Sequence, residues 1–131
     1  MTRREARVAA MQILYEMDAS DSMTVEKAKT LCEERLAGNH KERIADLMEK
    51  IISDLDSIDE NINRCSTGWK TRRMPKVDLA IMRLACGEMR FDDDIPDAVA
   101  VNEAIDIARK YSTDQSARFI HGVLGAISKN E

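Results

Sequence analysis

Aromatic residues are scarce in this chain, with one Trp, two Tyr and two Phe in 131 residues, and no run of alternating β-branched side chains occurs. A sheet would have little to be made from. Two prolines and five glycines leave few breaks, while Ala, Leu, Ile, Met, Glu and Lys are plentiful, so helix is favoured throughout. The expected fold class is all-α, one domain by length, with about six to seven helices.

Other absences narrow the function. No stretch approaches the ~18 to 20 continuous apolar residues of a membrane span, and the basic N-terminus leads into an amphipathic pattern rather than a signal peptide. A cytoplasmic protein with no membrane partner is expected. Cys32, Cys65 and Cys86 lie far apart without a Cys-x-x-Cys pair, and read as small buried hydrophobes in a reducing compartment. His40 and His121 are solitary, and no phosphate-cradling glycine loop or nucleophile elbow is present. No catalytic residue, metal ligand or cofactor is expected; the protein works by binding. A net charge of −4 argues against general affinity for nucleic acid, so any such site is a local patch.

What is present is organised around Pro75 to Phe91. Val77, Ile81, Leu84 and Ala85 mark one side of this segment and Leu79, Met82, Cys86 and Met89 another. A helix apolar nearly all round must be surrounded. Its polar residues Asp78, Arg83 and Glu88 therefore need partners.

Along the chain, Ala6, Ala10, Ile13, Leu14 and Met17 give a first helix one buried face, with Tyr15 outside it. Arg3, Arg4 and Arg7 stand at its start, where positive charge opposes the helix dipole. They read equally as a frayed basic terminus or as a nucleic-acid patch. Thr24 caps a short helix closed by Gly38, and Asn39 with Glu42 has capping-box spacing before one long helix running from Ile44 to Ile62. The acids along that helix form a solvated face. The connector from Cys65 to Met74 is basic and holds Trp69, read first as a packing anchor and second as a stacking platform.

Asp92, Asp93, Asp94 and Asp97 resemble a calcium loop only until Asp97 is seen where the turn needs glycine. The segment VAVNEAIDIARKY then pairs Asp106 with Lys110 on its outer side, and Ser112 with Gln115 repeats capping-box spacing before a last helix. Gly122 and Gly125 on that helix would admit a close neighbour.

The succession of Trp69, Arg73-Met74, Val77-Asp78, AIMRLACGEM, Ile95-Pro96, VAVNEAIDIARKY and SARFIHGVLGAI resembles the NusB family of bacterial transcription antitermination factors. The resemblance covers essentially the whole chain and is strongest from residue 77 to 127. It implies two small helical bundles packed together, about 1–66 and 67–131, and no catalytic activity. It implies binding of boxA, a short single-stranded RNA element of ribosomal-RNA transcripts, together with the small-subunit ribosomal protein NusE. The setting implied is an RNA polymerase elongation complex with other Nus factors.

Carried over by position, Arg3, Arg4 and Arg7 match the family's arginine-rich motif, and Arg118 and Phe119 match positions that meet RNA. Gln115 lies beside them where many members have an acid. Tyr15, Asp78 and Arg83 match positions at the ribosomal-protein interface. His121 replaces an asparagine, and Gly87 takes a place usually held by tyrosine. Two alternatives remain at this level: an RNA-targeting domain like that of ribosomal-RNA cytosine methyltransferases, and a homodimeric interaction module that covers the arginines.

Overall fold

The first helix opens on a reciprocal cap. The Glu5 amide donates to the Thr2 hydroxyl at 3.1 Å and the Thr2 amide donates to the Glu5 carboxylate at 2.7 Å. These bonds, that from the Thr2 backbone foremost, hold the Glu5 carboxyl below its usual pKa. A helix that starts with two arginines against its own dipole thereby gains a carboxylate in its first turn.

The computed structural model describes residues 1–67 and 70–129, so the expectations for Gly68 and Trp69 lie outside the described residues. Seven α-helices are seen among them: α1 (Arg3–Ala19), α2 (Val25–Arg35), α3 (Lys41–Ser53), α4 (Leu55–Cys65), α5 (Lys76–Phe91), α6 (Asp97–Tyr111) and α7 (Asp114–Lys129). No described helix is long and apolar enough to cross a membrane.

α5 is the centre, packed by α1, α3, α4, α6 and α7. Every residue from Asp78 to Glu88 is buried, as a helix without a polar face requires. The helices α1, α2 and α3 pack on one another at one end, and α6 and α7 pair at the other. Cys32 and Cys86 are buried and Cys65 half-buried, and burial pushes the Cys32 thiol up.

Several local expectations give way to tertiary packing. The rhythm from Ile44 to Ile62 reads as one helix, but the chain leaves helical geometry at Asp54, with φ −119° and ψ 23°. No proline or glycine marks the break. It redirects α4, with Ile58 and Ile62 buried, onto α5 and α7. Asp54 and Asp59, expected on a solvated face, instead take Arg90 and Arg83 of α5 as partners. Gly38 does adopt a left-handed φ of +76°, yet it opens a 3₁₀ turn two residues beyond Leu36, the residue that caps the end of α2. That turn absorbs Asn39, so no side chain caps α3. At α7 the cap is Thr113, whose hydroxyl accepts from the Ser116 amide at 2.9 Å, because the Ser112 hydroxyl is turned inward to Asp78.

Glycines in helix interiors behave in two opposite ways. A Cβ on Gly87 would overlap Cγ1 and Cδ1 of Ile51, itself fully buried, so α3 and α5 approach over a bare backbone. Gly122 and Gly125 have nothing within 4 Å of that position, contrary to the close approach expected there. Gly87→Ala should lower stability by about 1–2 kcal/mol, overpacking outweighing the gain in propensity. Gly122→Ala should raise it by about 0.5–1 kcal/mol. Urea denaturation of the two variants checks the opposite signs.

Candidate nucleic-acid interface

A ladder of alternating charge joins α1 to α5 and α6. Arg7, only 2% exposed, donates through Nε and Nη2 to both carboxylate oxygens of buried Glu88 at 2.9–3.0 Å, and its Nη1 lies 3.4 Å from Glu103. One turn earlier, Arg4 donates through Nε to Glu103 at 2.8 Å and through Nη2 to Asp106 at 3.0 Å. Asp106 in turn lies 3.9 Å from Arg109. Donating hydrogen bonds to Glu103 and then to Asp106 pushes the Arg4 guanidinium further above its already high pKa.

The three N-terminal arginines, expected as one motif, are thus separated. Arg3 is exposed and Arg4 half in solvent, but Arg7 points into the protein, its guanidinium fully engaged. Arg7 lies on the face of α1 that buries Ala6, Ala10 and Met11, whereas Arg3, one turn earlier at the first residue of the helix, is exposed. Asp106 also departs from expectation, pairing with Arg4 and Arg109, while Lys110 lies over the Tyr111 ring at 5.4 Å.

The polar residues of α5 are equally interior. Asp78 is fully buried in the helix's first turn, where the dipole favours its charge. Its Oδ1 accepts from the Ser112 hydroxyl at 2.7 Å, and its Oδ2 has no hydrogen-bond partner among the described residues. Arg83 makes a two-pronged contact with Asp59 at 2.9 and 2.7 Å and lies 3.5 Å from Asp18. The resemblance implies a partner surface for both, whereas both are buried. Of that set only Tyr15, 40% exposed, stands on the outside.

α7 divides the remaining candidates between its two flanks. Gln115 and Phe119 border a groove of about 450 Å³ with Thr67, Asp78, Thr113 and Ser116. Arg118 faces the other way, into a groove of about 460 Å³ against α6 lined by Asn102, Asp106, Arg109 and His121. Asp106 also borders a third groove, of about 560 Å³, between α1 and α6, where Arg4, Arg35, Lys110 and Tyr111 gather. Arg3 and Arg118 are exposed and have no ion-pair partner among the described residues. The surface can therefore offer cations to an anionic strand on both sides of α6. It holds no group of three or more His, Cys, Asp or Glu residues suited to a metal among the described residues.

Sequence reasoning missed Glu103, Asp106 and Arg109 as parts of this surface. Glu103 and Asp106 are spaced as i, i+3 on one helix face, which is the available signal. That Arg4, 99 and 102 residues earlier in the chain, would meet them is not written in that spacing.

Seven helices, one of them buried at the centre, with cations displayed on the surface, define an all-helical binding protein. The chain belongs to the NusB family, whose sequence pattern matches residues 4–129. It is 42% identical over 130 residues to the transcription antitermination protein NusB of Acetivibrio thermocellus, covering 98% of this chain and 90% of that protein. With the protein of the same description from Natranaerobius thermophilus the identity is 39% over 132 residues, covering 98% and 95%. Among solved structures, NusB of T. maritima superposes with a TM-score of 0.89 at 30% identity, covering 100% of this chain and 93% of that one. A structure of the antitermination factors NusB and NusE in complex with double-stranded RNA gives 0.84 at 25% identity, covering 98% and 97%. The protein is a transcription antitermination factor and not an enzyme.

Proposed function

We propose that this protein binds boxA-type single-stranded RNA in ribosomal-RNA operon transcripts, jointly with the ribosomal protein NusE, inside an RNA polymerase antitermination complex in the cytoplasm. The observation that carries this reading is the near-complete superposition on a NusB that was solved with NusE and RNA. The exposed cations Arg3, Arg4 and Arg118 support it, since a protein of net charge −4 needs a local basic surface to hold phosphates.

Arg3, Arg4 and Arg118 contact the strand, and Gln115 and Phe119 border it on the other flank of α7. Arg7 holds α1 in place for these contacts. Tyr15 meets the ribosomal protein, with Asp78 and Arg83 setting the backbone beneath that surface. Residues 1–66 and 67–131 act as two subdomains, the first presenting Arg3 and Arg4, the second Arg118.

Fluorescence anisotropy of a labelled boxA-type RNA, single-stranded and as duplex, with and without NusE at several salt concentrations, tests the reading. Single strands should bind more tightly than duplex, NusE should strengthen binding, and affinity should fall as salt rises. Arg3→Ala and Arg118→Ala should each reduce the salt slope by about 0.7, the amount expected for one phosphate contact on a single strand. Each should change stability by no more than about 0.5 kcal/mol, as exposed substitutions do. Absence of binding with and without NusE, or binding indifferent to salt, overturns the reading.

A further inference from the structure

Asp106 stands where basic residues from three helices converge. Arg4 of α1 hydrogen-bonds its Oδ2 at 3.0 Å, Arg109 of α6 approaches its Oδ1 at 3.9 Å, and Arg118 of α7 lines the same groove. His121 and the side-chain amide of Asn102 complete the polar lining, over a floor of Ile105 and Ala117. A carboxylate held by two guanidinium groups at the mouth of a cationic groove has the charge and hydrogen-bonding pattern of a phosphate in the same place.

We infer that the groove between α6 and α7 is a phosphodiester subsite for the bound RNA strand, and that Asp106 occupies its anion position in the free protein. The inference rests on the RNA-binding reading above and adds Arg109, Asn102 and His121 to the residues that would meet the strand. Arg4 and Arg109 turn from Asp106 to phosphate when the strand arrives.

The contrast with neighbouring pairs makes Asp106 the displaceable member. Glu103 is 21% exposed at its side chain and is shared between Arg4 and the buried Arg7, so its removal would disturb α1. Asp106 is 46% exposed and Arg109 64%, and exposed ion pairs of this kind contribute little to stability. A phosphate carries the same charge with more acceptor oxygens, and displacing a weak internal partner costs little.

The groove also joins sites that otherwise look unrelated. Asp106 borders both the α1–α6 groove, with Arg4 and Lys110, and the α6–α7 groove, with Arg109 and Arg118. A strand crossing α6 at this point engages the N-terminal arginines and Arg118 together. Without that crossing, Arg4 and Arg118 would lie on separate surfaces.

The test is salt-dependent titration of labelled single-stranded boxA-type RNA with wild type, Asp106→Asn, Arg109→Ala and Arg3→Ala, each also checked by thermal melting. Removing one charge about 5 Å from a phosphate in a water-like dielectric changes affinity by about three- to fivefold. Asp106→Asn should tighten binding by that factor, Arg109→Ala should weaken it by that factor and lower the salt slope by about 0.7, and neither should shift the melting temperature. If wild type binds and Arg3→Ala weakens binding, but Asp106→Asn and Arg109→Ala match wild type, the subsite is overturned while the RNA-binding reading stands. Weaker binding by Asp106→Asn overturns the placeholder role. Failure of wild type to bind removes both.

Discussion

Glu88→Ala is expected to lower the free energy of unfolding by about 3–5 kcal/mol, measured by urea denaturation, because it leaves a buried guanidinium without its main partner. Arg7 is 2% exposed and receives its closest contacts from Glu88, with Glu103 at 3.4 Å remaining as a single, longer interaction. The double variant Arg7→Met with Glu88→Leu should recover most of that loss, since well-packed apolar side chains often replace a buried ion pair without penalty. The pair of variants also separates two roles for Arg7. RNA affinity retained in the double variant identifies Arg7 as a strut beneath the arginine patch, whereas affinity lost with the fold intact identifies it as an RNA contact. A loss of less than about 1 kcal/mol in Glu88→Ala would contradict burial of the pair.

Arg83→Ala should cost about 2–3 kcal/mol, the range for hydrogen bonds to charged groups when one member is removed. Arg83 ties α5 to Asp59 of α4 and Asp18 of α1, so the loss should appear as global destabilisation. Lysine should not restore it, because one ammonium cannot span both oxygens of Asp59 while reaching Asp18. Tyr15→Ala provides the contrasting case on the same side of the molecule: little change in stability, and weaker association with NusE in a pull-down or titration. Normal stability of Arg83→Ala with lost NusE binding would return Arg83 to the partner surface.

The extent of sequence legibility follows from the range of each interaction. α5 was readable because its apolar residues cover more than one face, and the structure buries every position from Asp78 to Glu88. The need for partners at Asp78, Arg83 and Glu88 was equally plain, since burying a polar group without a hydrogen bond is costly. The partners themselves were not: Ser112, Asp59 and Arg7 are 34, 24 and 81 residues away. The break at Asp54 was illegible for a related reason. The hydrophobic rhythm continues through it without proline or glycine, and the change of direction serves contacts with α5 and α7 that no local window contains.

The candidate surface divides in the same way. Its residue types could be named from spacing and family resemblance, including Arg3, Arg4, Arg118 and Phe119. Exposure could not be assigned: Arg7 joins the buried face of α1, and Arg118 and Phe119, adjacent in the chain, look over opposite flanks of α7.

The sequence by itself determined an all-helical chain, a central buried helix and the absence of recognisable catalytic motifs, because these depend on composition and on periods of a few residues. Tertiary structure alone decided which arginines are buried and which are exposed, where α3 ends, and that Asp106 sits between cations from separate helices. Those outcomes depend on which faces meet across the core, and that geometry is set by packing the whole chain at once.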